Sequence, residues 1–122
     1  MPFRPAHEEL PLTPLDFEVL LALADRPLHG YAVLREVLAR TQPVSPLRTG
    51  TLYRALARLE RDGLIGRADP ADTPPDRARE TQVRRTWRLT PHGRRTAQAE
   101  AERLAGQVMA ARARGLLPGP RR

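Results

Sequence analysis

The segment RTGTLYRALARLERDGLI, residues 48–65, joins an amphipathic helix pattern to a short strand pattern through a single glycine. Leu52, Leu56 and Leu59 recur at steps of four and three, which places them on one helix face and predicts that they are buried. Gly63 ends the helix pattern, and LIGRA (64–68) is a short extended candidate. The fold must therefore bury this helix through its leucines and turn into a strand directly after it.

Two other helix patterns precede this segment. Thr13 is a candidate N-cap with Pro14 at the first helical position, and the apolar LDFEVLLALAD (15–25) is expected at the core or at a subunit contact. HGYAVLREVLART (29–41) predicts a second helix. Its predicted apolar side comprises Tyr31, Leu34, Val37 and Leu38. Ser45 and Pro46 are expected to open the third helix.

A strand–loop–strand pattern follows the third helix. VRRTWRLT (83–90) alternates Arg85, Trp87 and Leu89 with Arg84, Thr86 and Arg88, as a half-buried strand does. Between LIGRA and this second strand, residues 69–82 are rich in proline and charge and predict a loop. We therefore expect a β-hairpin with a long polar tip, which is a wing.

The last predicted helix starts at Thr90-Pro91, again a cap followed by proline, and runs to about Arg114 before Gly115. A narrow stripe alternates steps of four and three, as in a helix–helix seam. The stripe comprises Ala97, Ala101, Leu104, Val108 and Ala111. We interpret this segment as a dimerisation helix, and the alternative is a lid packed within one protomer.

Charge is distributed unevenly along the chain. The formal net charge is +7, and every basic residue is arginine. Residues 1–30 carry a net charge of −3 and residues 77–95 a net charge of +6. This asymmetry favours a polyanionic partner on one surface, and solvated charge for solubility is the alternative. The arginine excess itself is discounted as base composition, so only the positions of the arginines are used.

Neither a membrane segment nor an enzyme site is expected. No apolar run approaches the roughly 18 residues of a membrane span, the first residues lack the apolar stretch of a signal peptide, and cysteine is absent. We expect a cytoplasmic protein. His7, His29 and His92 have no metal-ligand spacing, and the isolated glycines form no phosphate-binding loop. No metal, other cofactor or catalytic residue is therefore expected.

The order of three helices, a hairpin and a terminal helix predicts a mainly α fold with a small β-hairpin. This is a winged helix-turn-helix, whose third helix enters the DNA major groove. We expect a flexible arm (1–12), a DNA-binding domain (13–90), the dimerisation helix (91–114) and a flexible basic tail (115–122). The DNA-facing candidates on the third helix and the loop tip are Thr49, Thr51, Tyr53, Arg54, Arg58, Arg61, Arg77 and Arg79. For Tyr53 the alternative is packing against the second helix.

Three ordered motifs, HGYAVLREV, GTLYRALARLERDGLI and RRTWRLTPHG, resemble the PadR family of bacterial transcriptional regulators. The resemblance covers roughly residues 12–112 and is similar to the small subgroup with one C-terminal helix. It implies that Thr51 and Tyr53 face DNA and that Arg84 and Arg85 belong to the wing. It also implies a dimer contact that combines the terminal helix with the first helix. The first-helix candidates are Leu20 and Leu23.

The sequence departs from the family pattern at two positions. Arg54 stands where the family commonly has proline, and Trp87 stands where tyrosine is usual. Arg54 adds a cation and a backbone donor, so a different operator preference is expected. Trp87 shares a strand face with Leu89 and is expected to be an inward anchor.

These features together predict a homodimeric repressor that binds a near-palindromic operator in double-stranded DNA. The resemblance also implies a small-molecule effector, of unknown identity, between the terminal helices. The alternative function is a winged-helix module that binds another protein and has no specific operator.

Overall fold

The computed structural model describes residues 10–41, 47–68 and 85–118. In chain order these ranges form α1 (Pro14–Ala22), β1 (Leu28–His29), α2 (Gly30–Thr41), α3 (Thr49–Arg61), β2 (Ile65–Arg67), β3 (Thr86–Leu89) and α4 (Pro91–Ala113). The predicted fold class, mainly helical with a small antiparallel sheet, is confirmed. Ser45 and Pro46, predicted to open the third helix, lie outside the described residues, as do the predicted DNA contacts Arg77, Arg79 and Arg84.

The first helix begins at the predicted cap. The Thr13 side chain accepts a hydrogen bond from the backbone N–H of Asp16 at 3.1 Å, and Pro14 occupies the first helical position. The helix ends at Ala22, three residues before the end of the apolar run, because the chain must turn to reach β1. Leu23, just beyond the helix, is still buried.

The second helix is rotated relative to the prediction. Gly30, Val33 and Val37 are its buried positions, whereas Tyr31 is 59% exposed. The expectation that Tyr31 lies in the core is therefore wrong. The side chain of Tyr53 from α3 lies over Gly30, so the buried side of α2 is centred on the glycine and not on the tyrosine beside it.

The third helix supplies the centre of the core, as its leucine spacing predicts. Leu52, Leu56 and Leu59 are at most 1% exposed. The large apolar side chains buried with them are Val19, Leu20, Leu23, Leu28, Val33, Val37, Leu64, Ile65 and Trp87. The helix ends in a Schellman turn, in which Leu64 N–H donates to Leu59 C=O at 2.9 Å. Gly63 has φ +81°, the left-handed conformation that this turn requires.

The sheet has one strand more than the predicted hairpin. The described strands follow the order β1-β3-β2, and both neighbours of β3 run antiparallel to it. Leu28 is opposite Trp87 on one side of β3, and Arg67 is opposite Trp87 on the other. Trp87 is 3% exposed, so the predicted inward anchor is confirmed at the centre of the sheet.

The fourth helix docks on the turn that ends α3. The Thr90 hydroxyl accepts a hydrogen bond from Gly93 N–H at 2.9 Å and lies 2.6 Å from the carbonyl oxygen of Gly63, to which it can donate. Thr90 N–H donates to Leu64 C=O at 3.2 Å. A Cβ atom on Gly93 would lie only 1.9 Å from that same oxygen, so only glycine fits this contact.

A buried carboxylate ties α4 to the segment before α1. Glu100 is 2% exposed and accepts two hydrogen bonds from the Arg103 guanidinium, at 2.7 and 2.9 Å. It also accepts one from Leu12 N–H at 3.2 Å. The hydrogen bonds from Arg103 lower the pKa of Glu100. Leu12, assigned to the arm from the sequence, thus packs against the folded core.

Candidate nucleic-acid interface

The outward face of α3 is a continuous exposed stripe opposite the buried leucines. Gly50, Arg54, Ala57 and Arg61 follow one another at steps of four, three and four, and all four are exposed. Two of them are arginines and two have little or no side chain. This face therefore presents two guanidinium groups on a surface where a partner can approach the helix backbone closely.

Arg54 lies over the first turn of α3. Its guanidinium is 3.4 Å from the Thr51 hydroxyl, at the limit of a hydrogen bond, and Nη1 would be 3.4 Å from a Cβ atom on Gly50. Thr49 is exposed and Thr51 is half-buried beside it. Arg54 thus places a planar donor group at the N-terminal end of the helix, the part of a recognition helix that contacts base edges.

Tyr53 lies on the flank of α3 and contacts α2. Its hydroxyl oxygen would be 2.5 Å from a Cβ atom on Gly30, and two ring carbons would be 2.9 Å away. The half-buried ring also packs against the core. The Tyr53 ring therefore packs against the second helix, which was the alternative considered for this residue. A DNA contact by Tyr53 stays a prediction. The contact explains why a glycine follows His29.

Arg58, one of the predicted DNA contacts, forms an ion pair with the first helix. Its guanidinium donates a hydrogen bond to the Asp16 carboxylate on α1 and forms an ion pair with it. Asp16 is 6% exposed, so this carboxylate needs the cation as its partner. Arg58 is therefore linked to α1, and a DNA contact by this residue stays a prediction.

Arg61 ends the exposed stripe. Its side chain is 74% exposed, and its Nε atom lies 3.9 Å from the Asp62 carboxylate oxygen Oδ1. An ion pair this long and this exposed contributes little to stability. The guanidinium is consequently available to an external anion.

Arg48 is a further cation at the start of α3 that was not predicted from the sequence. This residue occupies the N-cap position of α3, where it makes no side-chain capping bond, and it is exposed. Its position immediately before the first helical residue was the available signal, because helix starts lie closest to DNA in helix-turn-helix proteins.

The base of the wing adds cations beside α3. The Arg67 guanidinium lies 5.3 Å from the Trp87 ring centroid and 3.5 Å from the Glu60 carboxylate, which fixes its position. Arg88 is exposed on the outer face of β3, and Arg85 is half-buried just before that strand. Arg85 was predicted to contact DNA, whereas Arg67 and Arg88 were not.

The predicted dimer residues fall into two groups. Leu20 is 0% and Leu23 is 2% exposed, because both lie in the protomer's own core. Neither side chain is available to a partner, so the prediction that they form part of a dimer contact is wrong. The seam on α4 differs. Ala97 packs against the core, and Leu104 and Ala111 are half-buried. Ala101 and Val108 are exposed.

The second half of α4 and the residues after it carry further apolar surface. Met109 is 68%, Leu116 75% and Leu117 42% exposed. Beside the seam, a groove of about 340 Å³ separates α4 from α1, with Phe17, Leu21 and Leu104 among its lining residues. The groove adjoins the α4 seam through Leu104, and its lining also includes four charged residues, Glu18, Arg40, Glu100 and Arg103.

The described residues contain no group of three or more histidine, aspartate or glutamate side chains placed to hold a metal ion. None of the helices in these ranges combines the length and the apolarity that a membrane span requires.

Comparison with known proteins identifies relatives of the chain. The model of the family described as "Transcriptional regulator PadR-like family" matches residues 19–99. An uncharacterized 37.1 kDa protein in transposon TN4556 of Streptomyces fradiae is 41% identical over 95 residues. The match covers 74% of this chain and 24% of that protein, so the chain spans about a quarter of the relative's length.

Solved structures show the same fold. A transcriptional regulator from Clostridium thermocellum superposes with a TM-score of 0.57 at 26% identity, over 79% of this chain and 86% of its own. A PadR family transcription regulator from Clostridium difficile R20291 superposes with a TM-score of 0.59 at 22% identity, over 80% and 96%. Because the family model covers more than half of the chain and these folds agree, the chain belongs to the PadR-like family of transcriptional regulators.

Proposed function

We propose that the protein is a homodimeric repressor that binds a near-palindromic operator in double-stranded DNA. The observation that carries this proposal is the exposed stripe of α3, with Arg54 near its start and Arg61 at its end. Arginine offers the planar donor fork that guanine edges and phosphates accept. A helix held to the core by three buried leucines presents such groups at fixed positions.

The proposed contacts divide into two kinds. Thr49, Thr51 and Arg54, near the start of α3, would meet base edges, because that end of a recognition helix enters the major groove. Arg61 and Arg85 would contact phosphates, which contribute affinity and register. Arg77, Arg79 and Arg84 remain proposed phosphate contacts of the wing.

The second part of the proposal is the dimer. Leu104, Val108 and Ala111 form an apolar stripe on the side of α4 that leads away from the core, and Val108 is 38% exposed. Burying this stripe against a second copy of α4 removes apolar surface from water. Two-fold symmetry would then present two α3 helices to successive major grooves, about 34 Å apart.

Repression and its release form the third part. A dimer seated on an operator excludes other proteins from that DNA. The groove between α1 and α4 adjoins the proposed dimer seam, so it is the place we propose for a small-molecule effector. Such a ligand would act by binding one dimer geometry more tightly than the other.

DNA binding is tested by fluorescence anisotropy with a duplex from the upstream region of the gene and a scrambled duplex, at about 50–300 mM salt. The wild-type protein should prefer the upstream duplex and show a steep negative log–log salt slope. Arg54→Ala should reduce that preference by about 1–3 kcal/mol. Arg95→Ala is the matched control, since Arg95 is exposed on α4 beyond the end of β3 that is remote from the wing.

Two results would count against this assignment. Equal and weak binding of both duplexes by the wild-type protein would favour the protein-binding alternative, and other genomic duplexes would then be screened. If Arg54→Ala weakened both duplexes equally, Arg54 would be a phosphate contact and not a base contact.

The dimer is tested by analytical ultracentrifugation of Val108→Glu beside Ala110→Glu. Both substitutions add one carboxylate to an exposed position of α4, but Ala110 faces away from the seam. We expect Val108→Glu to yield monomers and Ala110→Glu to yield dimers at the same concentration. Dimers in both variants would exclude the α4 seam as the subunit contact.

A further inference from the structure

The Arg54 guanidinium lies back along α3 toward the first turn of the helix. Its Nη2 atom is 3.4 Å from the Thr51 hydroxyl, and its Nη1 atom would be 3.4 Å from a Cβ atom on Gly50. Long side chains on a helix point toward its N-terminus, and Gly50 has no side chain that takes up this space. The guanidinium of Arg54 therefore covers the exposed surface of the first turn, at the end of a recognition helix that enters a major groove.

The donors of Arg54 are also less engaged than those of its neighbour. Arg58, on the same helix, pairs with Asp16. Among the residues that the structure describes, Arg54 forms no ion pair, and its polar side-chain contact is the long one with Thr51. A guanidinium has five N–H donors, so most of the donors of Arg54 are open to acceptors on another molecule.

The side chains of α3 favour one kind of base. Residues 49–61 contain no asparagine or glutamine, the residues that bind adenine through two hydrogen bonds. Their single carboxylate, that of Glu60, already pairs with the Arg67 guanidinium at 3.5 Å, whereas reading cytosine requires a carboxylate acceptor. Guanine presents two adjacent acceptors, O6 and N7, in the major groove, and these match two N–H groups of one guanidinium. The chemistry that α3 offers therefore favours guanine.

We propose that Arg54 selects a guanine in each half-site of the operator and that Thr51 is a positioning residue for Arg54. This inference rests on the proposed DNA binding and names the base that the start of α3 recognises. Two guanidinium N–H groups donate to O6 and N7 of the guanine. The Thr51 hydroxyl accepts from Nη2 and limits the rotation of the guanidinium about its bonds.

The test begins with the selection of bound duplexes from a library with a randomised centre. The wild-type protein should enrich a sequence with a guanine at one symmetric position of each half-site. Replacing that G·C pair with A·T should weaken wild-type binding by about 5- to 150-fold per half-site. 7-Deazaguanine, which lacks only the N7 acceptor and still pairs with cytosine, should also weaken it. Arg54→Ala should bind the three duplexes with nearly equal affinity, because the partner of the guanine is then absent.

Two further variants separate base selection from charge and from folding. Arg61→Ala is the matched control, an arginine on the same exposed face of α3. It should weaken every duplex and lower the magnitude of the log–log salt slope by about one, but keep the preference for guanine. Thr51→Val keeps the shape of the side chain and removes the hydroxyl. It should reduce the preference for guanine and leave the salt slope unchanged.

The outcomes distinguish this inference from the function on which it rests. If the wild-type protein selects a sequence without such a guanine, or if Arg54→Ala keeps the wild-type preference for guanine, the assignment of guanine to Arg54 is overturned and the proposed function stands. An unchanged preference in Thr51→Val would overturn the positioning role of Thr51. If the wild-type protein selects no sequence at all, the proposed function is overturned as well. Circular dichroism melting of each variant checks that a loss of binding is not a loss of folding.

Discussion

Replacing Gly93 with alanine should strongly destabilise the protein. The new Cβ atom would lie 1.9 Å from the carbonyl oxygen of Leu64 and 2.8 Å from its carbonyl carbon. Ordinary contact begins at 3.4 Å, so the start of α4 must move by about 1.5 Å, the difference between 3.4 and 1.9 Å. Both obstructing atoms are backbone, and no side-chain rotation relieves the clash.

That movement also breaks hydrogen bonds of Thr90. Its N–H donates to Leu64 C=O at 3.2 Å, and its hydroxyl lies 2.6 Å from the Gly63 carbonyl oxygen. Overpacking costs about 1–3 kcal/mol and each lost hydrogen bond about 0.5–1.5 kcal/mol. We expect a loss of roughly 2–5 kcal/mol in the free energy of unfolding, a large part of the roughly 5–15 kcal/mol typical of a domain.

Urea unfolding followed by the fluorescence of Trp87, the only tryptophan of the chain, measures this loss. Gly106→Ala is the matched control on the same helix, because nothing lies within 4 Å of the added Cβ atom. That control should gain about 0.5–1 kcal/mol from helix propensity. If Gly93→Ala stayed within about 1 kcal/mol of wild type, the close docking of α4 on the α3 turn would be refuted.

Two other predictions concern buried carboxylates. Hydrogen bonds from Arg103 lower the pKa of Glu100 in the folded protein. The carboxylate therefore stabilises the fold at pH values above its unfolded pKa of about 4.3. This stabilisation is lost as the pH falls through the lower folded pKa. The stability difference between wild type and Glu100→Gln should therefore be constant above about pH 5 and shrink below about pH 4, in urea titrations at stepped pH. Asp16→Asn should cost about 1–2 kcal/mol in the same assay, less than a fully buried pair, because Arg58 is 41% exposed.

Each prediction has its own control. A stability difference for Glu100→Gln that stayed unchanged down to pH 3 would mean that the carboxylate charge does not matter. For the ion pair, Asp16→Asn combined with Arg58→Met should cost less than the sum of the single substitutions, because the pair is then removed together. Strict additivity would show that the two side chains do not interact in solution.

Features set by neighbouring residues could be predicted from the sequence. The leucine spacing of α3 gave its buried face, and Gly63 ended it, because helix periodicity and turn conformation depend on local geometry. The Thr90-Pro91 start of α4 was likewise correct, since a cap needs only a hydroxyl and an N–H three residues later. These local rules were sufficient for the order of the four helices, β2 and β3, and hence for the winged fold.

Features set by distant residues could not be predicted. Arg58 was expected to face outward, but its partner Asp16 is 42 residues earlier and its position depends on how α1 crosses α3. Tyr31 was assigned to the core from helix periodicity. Periodicity cannot show that the Tyr53 ring fills the space above Gly30. The two-residue strand β1 has no pattern of its own and exists through its register with β3.

The docking of α4 also determines how the two proposed interfaces are coupled. Thr90, the N-cap residue of α4, is hydrogen-bonded to the carbonyl groups of Gly63 and Leu64. Both carbonyl groups belong to the turn that ends α3. The ion pair between Arg58 and Asp16 also links α3 to α1. In a dimer built on α4, each recognition helix is therefore held to the dimer helix by direct hydrogen bonds and not by a flexible linker. A change in the angle between two α4 helices must then change the distance between the two α3 helices. This distance must match the spacing of the two half-sites in an operator.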